Sequence, residues 1–481
     1  MKMNIVNFFN ILNLCVLLFF FPACNNSDKN SIQSIHDEGS EIKVLFSRNE
    51  LIEMGYPFGK YGKDVPLGDP DIEWKRSNPD VTVFVPVGSG IYNGDNEHFL
   101  VFESPGKDEL LALWTQSSCE GNGDNHLVLA RSKDGVNWSN PKYLVGAKYG
   151  MGGFQASWGF PIVSKKGRIY IFYTKEIEFN DNNRQGSGNM GCIYSDDKGY
   201  TWTQPQEINK MPRSKYDNPD PKVPKGWIVF QKPILDQEGK WFVGYTLTTS
   251  PAIMNREKNW VNGDSRCYFM RFMNIDSNPE PGDIKIEWYP ENDLGLEVPN
   301  MVYPHLSTAQ EPAVVLLPDG RLFTVMRTMT GYIYYSVSAD NGKTWDKPKM
   351  LKYSDTGTGI KHPMSPCPLY KLKDGKFILI FHNNDGSRFG YNQADKIWTI
   401  NVSNVVRNPT FLSVGEFRKD AEQPIWFSEP EEILNSGDVA LPPKMTAEIG
   451  TYPSITEFMG RTTLWYPDRK RYLLGKYLNV N

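Results

Sequence analysis

Beyond residue 80 the apolar positions of this chain come in short, dense runs separated by polar turns, and helical periodicity is hard to find. Runs such as Ile169-Tyr170-Ile171-Phe172-Tyr173 and Phe377-Ile378-Leu379-Ile380-Phe381 have the β-branched and aromatic make-up of strands. Each such run follows a glycine-led turn: Gly106-Lys107, Gly167-Arg168, Gly239-Lys240, Gly320-Arg321, Gly375-Lys376 and Gly460-Arg461. The glycines are spaced by 61, 72, 81, 55 and 85 residues. A four-stranded propeller blade needs ~40–50 residues, so each spacing holds one blade and an insertion. The pattern predicts an all-β fold, a six-bladed β-propeller over residues 81–481. A β-sandwich explains the alternation of strands and turns, but gives no reason for six copies in register.

A second repeat lies downstream of these hairpins. It reads Ser132-Lys133-Asp134-Gly135-Val136-Asn137-Trp138, then Ser195-Asp196-Asp197-Lys198-Gly199-Tyr200-Thr201-Trp202, then Ser338-Ala339-Asp340-Asn341-Gly342-Lys343-Thr344-Trp345. After two further residues each copy reaches a proline, and the first copy is one residue shorter. Serine and aspartate satisfy turn backbone groups, glycine supplies positive φ, and tryptophan packs beneath the turn. The position is that of the corner between the third and fourth strands of a blade. Weaker echoes stand at Ile286-Glu287-Trp288 and at Trp426-Phe427-Ser428-Glu429-Pro430.

The repeat phase also predicts a ring of side chains. A proline stands six to eight residues before five of the six hairpin glycines, as in Gly159-Phe160-Pro161, Gln310-Glu311-Pro312 and Thr451-Tyr452-Pro453. Proline is sterically acceptable at the first residue of a strand, so this element opens the innermost strand. Alignment on it places His98, Phe160, Lys232, Glu311, Cys367 and Tyr452 around one rim of the central channel.

Charge and composition narrow the partners. A net charge of −4 without a basic tract argues against nucleic acid. Aromatics at 13%, with 24 Tyr and 13 Trp, suit an all-β protein that handles carbohydrate. Residues 1–23 read as a signal peptide: Lys2, an apolar run from Ile11 to Phe21, then Pro22-Ala23 before Cys24. A small residue directly before cysteine resembles a bacterial lipoprotein box, which implies lipidation at Cys24, membrane attachment and a place in the cell envelope. Residues 24–80 then form a tether and lead-in. Cys119, Cys192, Cys267 and Cys367 lack metal-ligand spacing and read as buried thiols. No metal or cofactor is expected.

The Ser-x-Asp turns resemble the Asp-boxes of the sialidase (neuraminidase) superfamily, whose BNR-repeat propellers have six blades. The resemblance implies a tyrosine–glutamate nucleophile pair, an aspartate acid/base and three arginines that hold a substrate carboxylate. Tyr452, Glu311 and Asp124 match the first three; Arg327 lies 16 residues after Glu311 and matches one arginine, and Arg407 stands as the third. The first-blade Arg-Ile-Pro element is missing. That strand reads Asp95-Asn96-Glu97-His98-Phe99-Leu100, with histidine or glutamate in the arginine's place. Loss of a bidentate arginine fork removes the best anchor for an α-keto acid.

The expected function is therefore a sialidase-like exo-glycoside hydrolase on a sugar other than sialic acid, within an acidic polysaccharide or its oligosaccharides. A second reading has His98 or Tyr452 abstract a proton from a uronate neutralised by Lys232 or Arg327, giving a lyase or dehydratase. A third is a glycan-binding lipoprotein without catalysis. His126 beside Asp124 is a candidate for substrate contact. Arg184, in the insert Glu176–Lys222, is another, if that insert overhangs the rim.

Overall fold

The computed structural model describes residues 67–480, apart from 88–91, 149–151, 178–185, 209–210, 255–262, 301–302 and 387–406. Cys24 and Arg184 thus lie outside the described residues. Six antiparallel sheets follow one another along the chain and form a six-bladed β-propeller.

The innermost strand of blade 1 is Asp95–Glu103, followed outward by Leu110–Ser117, His126–Ser132 and Lys142–Gly146. Blades 2 and 4 repeat this order from Ala156–Val163 and from Gln310–Leu316. In blade 3 the innermost strand is broken into Gly226–Ile228 and Ile234–Leu235, which both pair with Trp241–Thr248. Blade 5 opens with Leu369–Lys371 and blade 6 with Ser454–Phe458. Blade 6 is completed from the other end of the chain: Val81–Phe84 pairs with Tyr472–Tyr477 as its outermost strand. That pairing closes the ring, and the radial arrangement leaves each blade only short edges. The lead-in before it is docked, because buried Glu73 accepts a hydrogen bond of 2.7 Å from Arg469 of blade 6.

Blades pack face to face through alternate apolar residues. Val325 of blade 4, for example, shares a buried cluster with Leu369 and Leu379 of blade 5. Antiparallel order places the glycine-led hairpins and the Asp-boxes at one end of the propeller. The loops between second and third strands, and those between blades, share the other end.

Each Asp-box closes as its residue types dictate. In the third copy Ser338 Oγ accepts the Gly342 N–H (2.9 Å), Asp340 accepts the Thr344 N–H (2.9 Å), and Trp345 Nε1 donates to the Gly342 carbonyl (3.0 Å). Gly342 has φ +91°, which the turn requires. Trp345 stacks on Phe269 of blade 3 at 4.2 Å, and Trp138 meets Trp465 of blade 6 edge-on at 5.3 Å, so these clamps join neighbouring blades.

Three expectations need correction. The echoes in blades 3 and 5 are not turns: Ile286–Tyr289 and Ile425–Phe427 are fourth strands, and the blade 3 corner is built from 3-10 turns at Ile275–Ser277 and Pro281–Asp283. The insert 176–222 is not a single loop, since it contains the strand Gly188–Ser195, the second Asp-box and the strand Gln206–Ile208. The phase ring is corrected below. Among the described residues Cys119, Cys192, Cys267 and Cys367 form no disulfide, and the last three are buried.

Candidate active site

Four innermost strands carry, at or just before their start, a residue with left-handed backbone: His98 (φ 53°), Trp158 (φ 53°), Glu311 (φ 48°) and Tyr452 (φ 61°). Three of these sit in β-bulges, where pairing skips between Glu97 and Leu100, Ser157 and Phe160, and Gln310 and Ala313. A non-glycine residue in this region costs ~1–3 kcal/mol, and a bulge re-aims its side chain. Neighbouring blades hold the bulges in place. Thr115 Oγ1 accepts the Trp158 N–H at 2.9 Å, and Thr246 Oγ1 accepts the Glu311 N–H at 2.6 Å.

The re-aimed side chains meet. Tyr452 donates its phenol proton to Glu311 Oε1 at 2.8 Å, and Arg327 Nη1 donates to Glu311 Oε2 at 2.8 Å. The His98 ring stacks on Tyr452 with centroids 4.2 Å apart, and Trp158 tilts against His98 at 5.4 Å. All five side chains are buried. Burial, reinforced by the Glu311 charge, pushes the Tyr452 phenol up, so it does not ionise unaided. Burial also lowers His98 to about 4, which keeps the imidazole neutral near pH 7.

A set of charges surrounds this core. Lys470 lies 5.6 Å from the Tyr452 ring centroid and donates to Glu97 (2.8 Å) and Glu120 (2.7 Å). Lys444 pairs with Glu120, and Arg407 donates to Glu448 at 2.9 Å and to the Met364 carbonyl at 2.8 Å. Burial opposes ionisation of Glu97 and Glu448. It is outweighed by Lys470, with Arg407 adding at Glu448, and both carboxyls are held at about 2. Asp95 moves the other way, raised by burial and by the Glu97 charge.

The family model described as "BNR repeat-like domain" matches residues 108–427, well over half of the chain. The chain belongs to the BNR repeat-like family. Its propeller is similar to the leech intramolecular trans-sialidase solved with 2,7-anhydro-Neu5Ac, at 13% identity over 86% of this chain and 72% of that one, TM-score 0.55. The NanB sialidase from Streptococcus pneumoniae gives 13% identity, 83% and 70% coverage, and a TM-score of 0.53. A Dyadobacter fermentans protein of unknown function gives 12%, 84%, 98% and 0.53. At such identities the likeness is one of fold. No curated protein matches the chain significantly.

Within this BNR propeller, His98, Glu311, Arg327 and Tyr452 come together, with Arg407 joined to the same charge set. Asp124, on the loop that also carries Glu120, and His126, at the start of the next strand, flank it. Asp124 Oδ2 accepts the Ser118 N–H at 2.9 Å, His126 Nδ1 donates to the Asp124 carbonyl at 2.9 Å, and Asn125 Nδ2 donates to Ser157 beside Trp158 at 2.9 Å.

Lys232 and Phe160 belong elsewhere. The Lys232 ammonium donates to the carbonyls of Val101 (2.7 Å) and Ile455 (3.0 Å), farther along the innermost strands of blades 1 and 6, and Glu103 is the charge that faces it. Phe160 is core, stacked on Phe172 at 5.4 Å. Proline is the cause of both errors. It directly follows the left-handed residue in blades 4 and 6, stands three positions beyond it in blade 2, and falls in the strand break in blade 3. Cys367 keeps a place in the wall, where its buried thiol feels Glu311 and Arg327.

Sequence reading missed Trp158, Asp95, Lys444, Glu448 and Lys470, and offered Glu97 only as one of two stand-ins for the absent arginine. Asp468-Arg469-Lys470-Arg471 has the look of a solvated turn, yet all four residues are buried. Its one legible signal was its position between two strand runs, at the mouth end of the last blade.

Proposed function

We propose that this protein is a glycoside hydrolase in which Tyr452 attacks the anomeric carbon of a terminal sugar. The observation that carries the reading is the buried relay from Tyr452 through Glu311 to Arg327. In the first step the phenol oxygen bonds to the anomeric carbon while its proton passes to Glu311 Oε1. The glycosidic carbon–oxygen bond breaks, and Asp124 gives its proton to the leaving oxygen. In the second step Asp124 takes a proton from water, whose oxygen displaces the phenol, and Glu311 returns the proton to Tyr452. Buried Lys470 and Arg327 stabilise negative charge on the phenol oxygen as it leaves, in a site where such charge is worth more than in water.

A second reading, β-elimination by His98, draws on one feature: neutral His98 has no hydrogen-bond partner at either ring nitrogen. Elimination also needs a cation to neutralise the uronate, and the cations here already hold carboxylates. The test is incubation of the full chain with neutral, uronate-bearing and sialylated oligosaccharides, followed by mass spectrometry and ultraviolet absorbance. Hydrolysis predicts a saturated sugar plus one water, lost in Tyr452→Phe. A new ultraviolet chromophore, or full activity in both Tyr452→Phe and Glu311→Ala, contradicts it.

We also propose that Cys24 is lipidated and anchors the enzyme to the cell envelope, on the strength of the leader sequence. Fatty-acid labelling that persists in Cys24→Ala refutes this.

A further inference from the structure

We infer that the channel mouth recognises an uncharged, hydroxyl-bearing sugar ring and rejects a carboxylated one, a reading that rests on the hydrolase proposal. Two independent observations meet here. The first is charge matching. Arg327 is taken by Glu311, Arg407 by Glu448, Lys470 by Glu97 and Glu120, and Lys444 by Glu120. With Asp95, five carboxyl groups face these four cations. A substrate carboxylate would compete with these partners for the same cations, and displacing one would leave it buried without its cation. Breaking a buried pair in that way costs ~3–5 kcal/mol.

The second observation concerns the polar atoms left over. Buried atoms at this mouth without a hydrogen-bond partner among the described residues include His98 Nδ1 and Nε2, Trp158 Nε1, Asp95 Oδ1 and Asp124 Oδ1. Native structures rarely leave such groups unsatisfied, and those they leave mark sites of use. An indole N–H and an imidazole serve hydroxyl groups as donor and acceptor, and two carboxyl oxygens accept hydroxyl protons. Charge is therefore consumed inside the protein, while neutral hydrogen-bonding capacity faces the ligand. A glycan entering this site presents a neutral terminal ring, whatever charge it carries farther along.

The test uses the full chain and its Tyr452→Phe form with methyl glycosides matched in all but C6: glucoside against glucuronide, and galactoside against galacturonide. Calorimetry or ligand-observed NMR reads their binding. The neutral member of a pair is expected to bind at least about tenfold tighter, and tighter binding of the uronide overturns the inference. Glu448→Gln releases Arg407 and is expected to improve uronide binding by about tenfold over the parent. Equal uronide affinity in parent and variant also overturns the inference. Glu97→Gln, which leaves Lys470 with Glu120 alone, is expected to improve uronide binding in the same direction if Glu448→Gln does not fold. A failure of the hydrolase reading looks different: it appears as undiminished turnover in Tyr452→Phe and leaves these binding preferences unchanged.

Discussion

The two ends of the propeller solve one problem, the satisfaction of polar groups at strand ends, in opposite ways. At the hairpin end the Asp-boxes use partners two to four residues away: Ser195 with Gly199, Asp197 with Thr201, Ser338 with Asp340. At the mouth the partners are remote: Tyr452 and Glu311 are 141 positions apart, and Lys470 and Glu97 are 373 apart. The local arrangement recurs from blade to blade and lies near solvent. The remote one occurs once, is buried, and depends on the ring being closed. Repetition therefore belongs to stability at one end, and departure from repetition marks the candidate site at the other.

The strongest way to break this comparison is to remove a group at the mouth that chemistry needs and folding does not. Tyr452→Phe is expected to lower kcat by roughly 10³-fold or more while the unfolding midpoint moves little. Equal turnover with the parent would remove the distinction between the ends. Lys470→Met removes charge from the mouth and strands Glu97, while Glu120 keeps Lys444. Denaturant unfolding should show a loss of ~3–5 kcal/mol, against little change if the pair were solvated.

A pH series sharpens the contrast. His98 and His382 are both lowered to about 4 by burial, and buried His362, which stacks with His382 at 5.7 Å, is lowered as well. A histidine whose folded value lies below its ordinary 6.5 takes up protons more readily when unfolded. Stability is then full above pH 6.5 and falls as pH drops toward 4, by roughly 3 kcal/mol for His98. Glu97 and Glu448, held at about 2, act in a lower window: their contribution is present above pH 4.5 and is lost on the way down to pH 2. Unfolding curves from pH 7 to 4 should thus be shallower in His98→Gln than in the parent. The smallest effect belongs to the hairpin end. Asp340→Ala removes bonds to Thr344 alone outside its own serine, so about 1 kcal/mol of stability and no turnover should be lost.

Much of the fold was legible because its signals are local. A glycine-led hairpin or a Ser-x-Asp turn is complete within a few residues, so six phases and three clamps could be counted directly. The phase ring was clearest where a left-handed residue directly precedes proline, as Glu311 and Tyr452 do, whereas His98 was placed by its spacing from the hairpin alone. Trp158 was passed over for Phe160 because a bulge shifts the register by an amount that no proline marks. Lys232 looked like a rim cation, yet the broken strand of blade 3 turns it onto backbone carbonyls.

The sequence by itself determined the number of blades, the clamps between them and the phase that brings Glu311 and Tyr452 to one rim, since these depend on near neighbours and on a countable period. Tertiary structure alone decided which carboxylate each cation would hold. That choice depends on distances between segments hundreds of residues apart, set once Val81–Phe84 completes the last blade. It also decided that a charged turn such as Arg469-Lys470-Arg471 would be buried: matched countercharges there offset a desolvation cost that no stretch of chain could offset alone.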